Sequence, residues 1–361
     1  MTQKLTAEYV WIDGHEPTPM IRSKVKVFTT EIAPEEFAAM TDGLDWSFDG
    51  SSTEQAEGDN SDVVLKPVTG IVDPLRSNGV IFMCETFNVD GTPHSTNARA
   101  QMREILEAGA ERLEAWFGFE QEYTLFNKQK TAPLGWPEGG SPEDPQGPYY
   151  CGVGPKQIVG REVIETHLQM CIDAGINIYG ANAEVMMSQW EFQVGPVEVV
   201  TTSGKSLDAP DALTTCDHIW LARWLLYRVG EEFEVEPSFD PKPKSGDWNG
   251  AGMHTNFSTA NMRSKENGQH TISRVVEALA ANHQEHIEDY GDGIEKRLTG
   301  EHETCNVNTF KSGDSDRGCS IRIPPATTEK GYGYIEDRRP NANGDPYKIA
   351  KRILQSIKDV G

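Results

Sequence analysis

The stretch Trp116-Phe117-Gly118-Phe119-Glu120-Gln121-Glu122-Tyr123-Thr124-Leu125-Phe126 decides how the chain is read. Its aromatic and β-branched residues predict a strand, and residues two apart on a strand share a face, so Glu120 and Glu122 project together. On a solvated face such a pair is decoration. Among aromatics it is partly buried, where like charges raise one pKa or demand a cation.

The stretch Asn182-Ala183-Glu184-Val185-Met186-Met187-Ser188-Gln189-Trp190-Glu191-Phe192-Gln193-Val194-Gly195-Pro196 reads as a hairpin that delivers one carboxylate, Glu184 and Glu191, from each arm. Between Trp190 and Phe192 an unpaired Glu191 carboxylate costs several kcal/mol, on the order of other buried ions, and a divalent cation removes that cost. The extended run Gly250–Phe257 adds His254. A lone strand histidine is more often structural. With four carboxylates it suits an oxygen-preferring ion, Mg²⁺ or Mn²⁺, better than zinc.

Outward from these strands the chain divides. Residues 1–95 hold short extended pieces at 9–13, 24–30, 63–66 and 80–87, separated by glycine, proline and polar turns, with no long helix. After the Asp90-Gly91-Thr92-Pro93 turn, Met102, Ile105, Leu106, Gly109, Leu113 and Trp116 follow helical spacing from Ser95, which sets a domain boundary there. Residues 96–361 alternate helices at 161–174, 211–229, 272–290 and 345–360 with extended runs at 117–127, 176–194, 252–258 and 318–323, an α+β arrangement. Trp136–Pro148, rich in glycine and proline, reads as a long ordered loop.

The formal charge of −23 repels phosphate backbones and argues against nucleic acid as a partner. No apolar run approaches the roughly 18 residues of a membrane span, and the polar start lacks signal-peptide regions, which places the protein in the cytoplasm. Six cysteines without a CxxC pair read as reduced, small buried residues. Against this acidity, Arg297, Arg317, Arg322, Arg338 and Arg339 stand out among glycines and short strands. Scattered surface ion pairs are the plain alternative. Beside paired metals, guanidinium forks are the equipment of phosphoryl transfer. Ser203-Gly204-Lys205-Ser206 is not a P-loop, because Val199 stands where its first glycine should be and Asp208-Ala209-Pro210 follows. His302-Glu303 lacks a second zinc-site histidine, and His283 and His286 read as solvated on a polar helix face.

Seven segments together, Trp46–Thr53, Glu120–Glu122, Asn182–Pro196, Asn249–Ser258, Arg297–Asn306, Arg317–Pro324 and Glu336–Pro340, resemble in order the glutamine synthetases of type II, the compact eukaryotic-like kind. The resemblance implies an N-terminal β-grasp domain (1–95) and a catalytic domain (96–361) whose curved antiparallel sheet forms a funnel-shaped site. It implies ATP-dependent ligation of ammonia to the γ-carboxylate of L-glutamate through γ-glutamyl phosphate. Two or more Mg²⁺ or Mn²⁺ ions per site are implied: Glu122, Glu184 and Glu191 hold one, and Glu120, His254 and Glu336 another. Asn256, Ser258, Arg317, Arg322 and Tyr334 would bind ATP, a substrate, while Trp248, Gly250, Arg297 and Arg338 bind glutamate. Asp49, Ser52, Tyr150 and Glu303 would bind ammonium, with Asp49, Glu303 and Arg317 catalytic. Asp49 would come from a neighbouring subunit of a decamer built from two pentameric rings. The chain departs from the family pattern at Val200–Ala212, which is longer than in animal and plant relatives, at Asp247 and at Ile335. Two further readings fit the same residues: a γ-glutamyl ligase using another amine, and a two-metal phosphate hydrolase.

Overall fold

The structure, a computed structural model, describes residues 2–142 and 144–361. The first unit is a five-stranded sheet of β1 (Gln3–Ile12), β2 (Ile21–Thr30), β3 (Trp46–Asp49), β4 (Asp62–Val72) and β5 (Gly79–Phe87) in the order β2-β1-β5-β4-β3. The pairing of β1 with β5 is parallel and the others are antiparallel. Alternation along these strands feeds two cores. Tyr9, Trp11, Phe37 and Phe82 pack on one side, Phe37 coming from the short helix α1 (Pro34–Ala38), whereas Val10, Ile71, Ile81 and Met83 join the larger core of the rest of the chain.

The helix expected from Ser95 is α2 (Ala98–Glu107), capped by Asn97, whose side chain accepts from the Ala100 N–H. It is shorter than the spacing predicted: Leu113 lies in a separate 3₁₀ turn and Trp116 begins β6 (Trp116–Asn127). Next come α3 (Arg161–Asp173), β7 (Ile178–Ala183), β8 (Gln189–Val194), β9 (Val197–Thr201), β10 (Gly204–Asp208) and α4 (Ala212–Phe233), whose N-cap Asp211 accepts from Leu213 and Thr214 N–H groups. Then β11 (Val235–Ser238), β12 (Met253–Ser258), α5 (Ala260–Arg263), α6 (Gly268–Ala281), α7 (His283–Asp289) and α8 (Ile294–Arg297) follow. The chain ends with β13 (Ser312–Asp314), β14 (Ile321–Ile323), α9 (Pro325–Lys330), β15 (Ile335–Asp337) and α10 (Pro346–Ile357).

The second sheet runs β13-β14-β15-β12-β6-β8-β7, with β11 also paired to β6. It is antiparallel except between β13 and β14, which are parallel. One helix expected over 272–290 is two, because the chain breaks at Asn282, whose side-chain amide donates to the Ala278 carbonyl at 2.8 Å. Nor are His283 and His286 solvated. His286 is fully buried between Tyr290 and Ser356, and His283 meets the Val307 carbonyl and Arg339. All six cysteines are free, and all but the exposed Cys151 are buried. The loop expected at 136–148 includes Glu143, which lies outside the described residues; Trp136 within it packs against Trp248 with ring centroids 4.6 Å apart. Among the described residues no helix is long and apolar enough to cross a membrane.

Candidate active site

Strand register assembles the carboxylates. On β6, Glu122 stands opposite Glu191 of β8, and Glu191 stands opposite Asn182 of β7. One row along, Glu120 pairs with His254 of β12 on one side and Gln193 of β8 on the other. A third row pairs Asn256 of β12 with Glu336 of β15, and Glu336 with Arg322 of β14. Period-two alternation thus brings four carboxylates from three strands, Glu120 and Glu122 of β6, Glu191 of β8 and Glu336 of β15, to one cavity of about 540 Å³, where Glu184 joins them from the turn after β7. Glu184 sits in that turn, one residue past β7 and off the hairpin arm.

Ligand atoms of Glu122, Glu184 and Glu191 lie within 4.8 Å of one another, and so do those of Glu120, Glu191 and His254. Glu336, expected beside Glu120 and His254, lies 3.7 Å from the His254 Nδ1, but both its carboxylate oxygens accept from arginines, Arg338 at 2.5 Å and Arg322 at 2.7 Å. Burial dominates the electrostatics. It raises Glu122 to about 7 against the opposing pull of Arg297, and it raises Glu184 to about 8 with Glu122 adding to the effect. Glu191 is also held well above its ordinary value, by burial first and then by its carboxylate neighbours. Burial also holds His254 well below its ordinary value, so it is neutral. Arg297 Nη2 lies 2.9 Å from His254 Nε2 and holds the ring so that Nδ1 faces Glu120. Buried acids pushed toward protonation by one another, beside a neutral imidazole with an oriented ring, are a donor set that fits a hard divalent ion.

A family model described as glutamine synthetase, catalytic domain, matches residues 95–358, and one described as glutamine synthetase, beta-Grasp domain, matches residues 4–89. The chain belongs to the glutamine synthetase family. It is 49% identical to the chloroplastic glutamine synthetase of Chlamydomonas reinhardtii, covering 98% of this chain and 90% of that one. Identity to the glutamine synthetase of Streptomyces viridochromogenes is 50%, covering 97% and 96%. The fold matches the cryoEM structure of Plasmodium falciparum glutamine synthetase with a TM-score of 0.73 at 16% identity, covering 98% of this chain and 72% of that one.

The glutamine synthetase fold gathers most of the remaining expected residues. Tyr150, Gly250, Arg297, Glu303, Arg317, Arg322 and Arg338 line the same cavity. Arg297 is committed in part: its Nη1 donates to the carbonyls of Arg338, Arg339 and Pro340. Arg339, grouped with these arginines by sequence, is fully buried on Asp337 outside the cavity. His302 and Glu303 both hold left-handed backbone, φ 52° and 58°, a strained pair at the rim. Glu303 lies 3.9 Å from Arg317. Trp248 is buried beneath the rim on Trp136 and does not line the cavity. Asn256, Ser258 and Tyr334 line a second, apolar pocket of about 450 Å³ with Trp116, Phe117 and Pro196; Glu120 and Tyr179 border both spaces. Asp49 and Ser52 line neither; both are exposed at the end of β3, where Asp49 accepts from the Ser51 N–H and hydroxyl.

Sequence reasoning passed over Asn182 and Gln193. Gln193 Nε2 donates to Asn182 Oδ1 at 2.7 Å and to Glu191, and Asn182 donates to Glu184 at 3.0 Å, so the two amides fix the carboxylates' orientation. Their signal was available, since Gln193 is two residues from Glu191 on one strand face.

Proposed function

We propose that this chain is a glutamine synthetase of type II, forming L-glutamine, ADP and phosphate from L-glutamate, ammonia and ATP. The observation that carries the reading is a pair of adjoining pockets with Glu120 and Tyr179 in the lining of both. One holds clustered buried carboxylates and four arginines, and the other is apolar. A nucleotide fits that gradient, base in the apolar pocket and phosphates toward the arginines.

Divalent ions, Mg²⁺ or Mn²⁺, held by Glu122, Glu184 and Glu191 and by Glu120, His254 and Glu336, would neutralise phosphate and carboxylate charge in the site. Arg317 and Arg322 orient the phosphates. Arg297 and Arg338, with the Gly250 and Trp248 backbone, receive glutamate, and Arg297 also holds His254. A glutamate γ-carboxylate oxygen attacks the γ-phosphorus, the bond to the β-phosphate oxygen breaks, and ADP leaves. The resulting acyl phosphate has a good leaving group where a carboxylate has none. Ammonium enters against Tyr150 and Glu303 of one subunit and Asp49 and Ser52 of a neighbour; Asp49 takes its proton. Ammonia attacks the acyl carbon, phosphate departs, and Glu303 shields the intermediate from water and accepts the last proton.

Asp49 lines neither of these two pockets, which supports a site shared in a homo-oligomer, a decamer of two pentameric rings in this reading. The division at residue 95 and a cytoplasmic location belong to the same proposal. The test is product formation from glutamate and ATP with ammonium, hydroxylamine, alkylamines or no amine. Stoichiometric glutamine and ADP that depend on ammonium support the ligase. Phosphate release indifferent to amine identifies a hydrolase instead, and preference for an alkylamine identifies a different γ-glutamyl ligase.

A further inference from the structure

The hairpin β9–β10 stands out from the chain with nearly every residue exposed, and a two-stranded ribbon alone is marginally stable in water. Its placement therefore comes from its feet, and one residue holds both. The Asn177 carbonyl accepts the Gly195 N–H at 2.9 Å just before β9 begins, and the Asn177 side-chain amide donates to Asp208 Oδ2 at 3.0 Å where β10 ends.

Cross-strand partners share a face, so Leu207, opposite Glu198, lies on the face that also carries Val200 and Lys205. Glu198 and Lys205 pair at 2.7 Å across that face. Leu207 lines the apolar pocket with Trp116, Tyr179, Pro196 and Tyr334. Three large side chains around this one mouth remain substantially in water: Leu207 is 55% exposed, Tyr334 46% and Tyr179 43%. Apolar bodies gathered around a concave opening form a surface for a flat apolar partner, and a base is one.

We propose that Leu207 is a specificity-determining contact for the purine base of the nucleotide, set in place by Asn177 as a positioning residue. This rests on the nucleotide reading of the pocket. Leu207 offers no donor or acceptor, so it discriminates by the size and apolarity of the ring system that reaches it. A purine covers more of it than a pyrimidine does.

The test uses the full chain as an active enzyme, with KM for ATP, CTP, glutamate and ammonium measured for Leu207→Ala, Leu207→Asp, Asn177→Ala and the double variant Asn177→Ala/Leu207→Ala. In Leu207→Ala the KM for ATP rises about fivefold, the effect of losing roughly half a leucine's apolar burial. It rises further in Leu207→Asp, while kcat and the KM values for glutamate and ammonium stay within about twofold. CTP loses less than ATP, so the preference for ATP narrows. Asn177→Ala shows the same split between KM and kcat, and the double variant is no worse than Leu207→Ala alone, the non-additivity of two residues acting through one contact. An unchanged KM for ATP in Leu207→Asp, or equal losses for ATP and CTP, overturns the proposal. Tyr334→Ala separates the two levels of failure. If it weakens ATP while the Leu207 variants do not, only the role of Leu207 falls; if it leaves ATP unaffected, the nucleotide reading of the pocket falls with it.

Discussion

Glu191 belongs to both carboxylate clusters, and its strand neighbours Trp190 and Phe192 are buried, so its charge has nowhere to go but toward a cation. That tension was legible in the sequence because alternation on a strand assigns faces without further information. The partner of His254 was not, since Arg297 is 43 residues away on α8 and nothing in spacing joins them. The contact depends on Gly252: a Cβ there would lie 2.3 Å from Arg297 Nη2, whose group is boxed in by three carbonyls. Gly252→Ala therefore should displace Arg297 from His254 and lower Mn²⁺ affinity about 10- to 100-fold, the effect typical of losing support behind a metal ligand. Calorimetric Mn²⁺ titration reads it, and unaltered affinity would show that Arg297 does not orient the imidazole. Asp49→Ala tests the ammonium site: KM for ammonium or kcat should worsen by at least about tenfold with KM for ATP nearly unchanged. Equal ammonium kinetics in the variant and the parent would remove Asp49 from proton transfer.

Among the elements, β6 was read well because twelve residues of strand character carry their own alternation, and its neighbours β8 and β12 were read from the same pattern. Elements whose limits depend on tertiary contacts were read less well. The α6–α7 break follows from one amide turning back at Asn282, and the burial of His286 follows from α10 supplying Ser356 across the helix. The packing of α3 on α4 carries a measurable signature in His167, fully buried with Nε2 on the Ala222 carbonyl at 2.9 Å. Burial lowers this imidazole to about 4. The unfolded chain then binds a proton below about pH 6.5 that the folded chain refuses, so stability is lost as pH falls from 6.5 toward 4, by up to about 3 kcal/mol. Urea midpoints between pH 7 and 5 should fall more steeply for the parent than for His167→Gln; identical slopes would mean that His167 is protonated in the folded protein.

Across the whole molecule, a buried network ties the first sheet to helices α2, α4 and α10. Asp217 of α4, fully buried, accepts from Arg99 of α2, Thr69 of β4 and Tyr347 of α10, and Arg99 also pairs with Glu85 of β5. The arginine outweighs the cost of burial and keeps Asp217 below its ordinary value. Asp49 is exposed at the end of β3, which pairs with β4. Sequence could not show whether a second copy meets that edge, because an interface between copies leaves no periodicity in one chain. If sites are shared, Glu184→Gln, defective in its own carboxylates, and Asp49→Ala, defective in what it lends, should each be nearly inactive, and mixed assemblies should regain part of the parent's turnover. Absence of rescue in verified mixed assemblies would place Asp49 in its own chain's site or in none.

The account stands on acids from separate strands converging on divalent ions, and Mn²⁺ binding followed by electron paramagnetic resonance measures this directly. The parent should bind at least two ions per chain saturably, with Glu191→Gln weakening the ion it holds with Glu122 and Glu184. A parent that binds no Mn²⁺ saturably, or a Glu191→Gln chain that binds as the parent does, would contradict it.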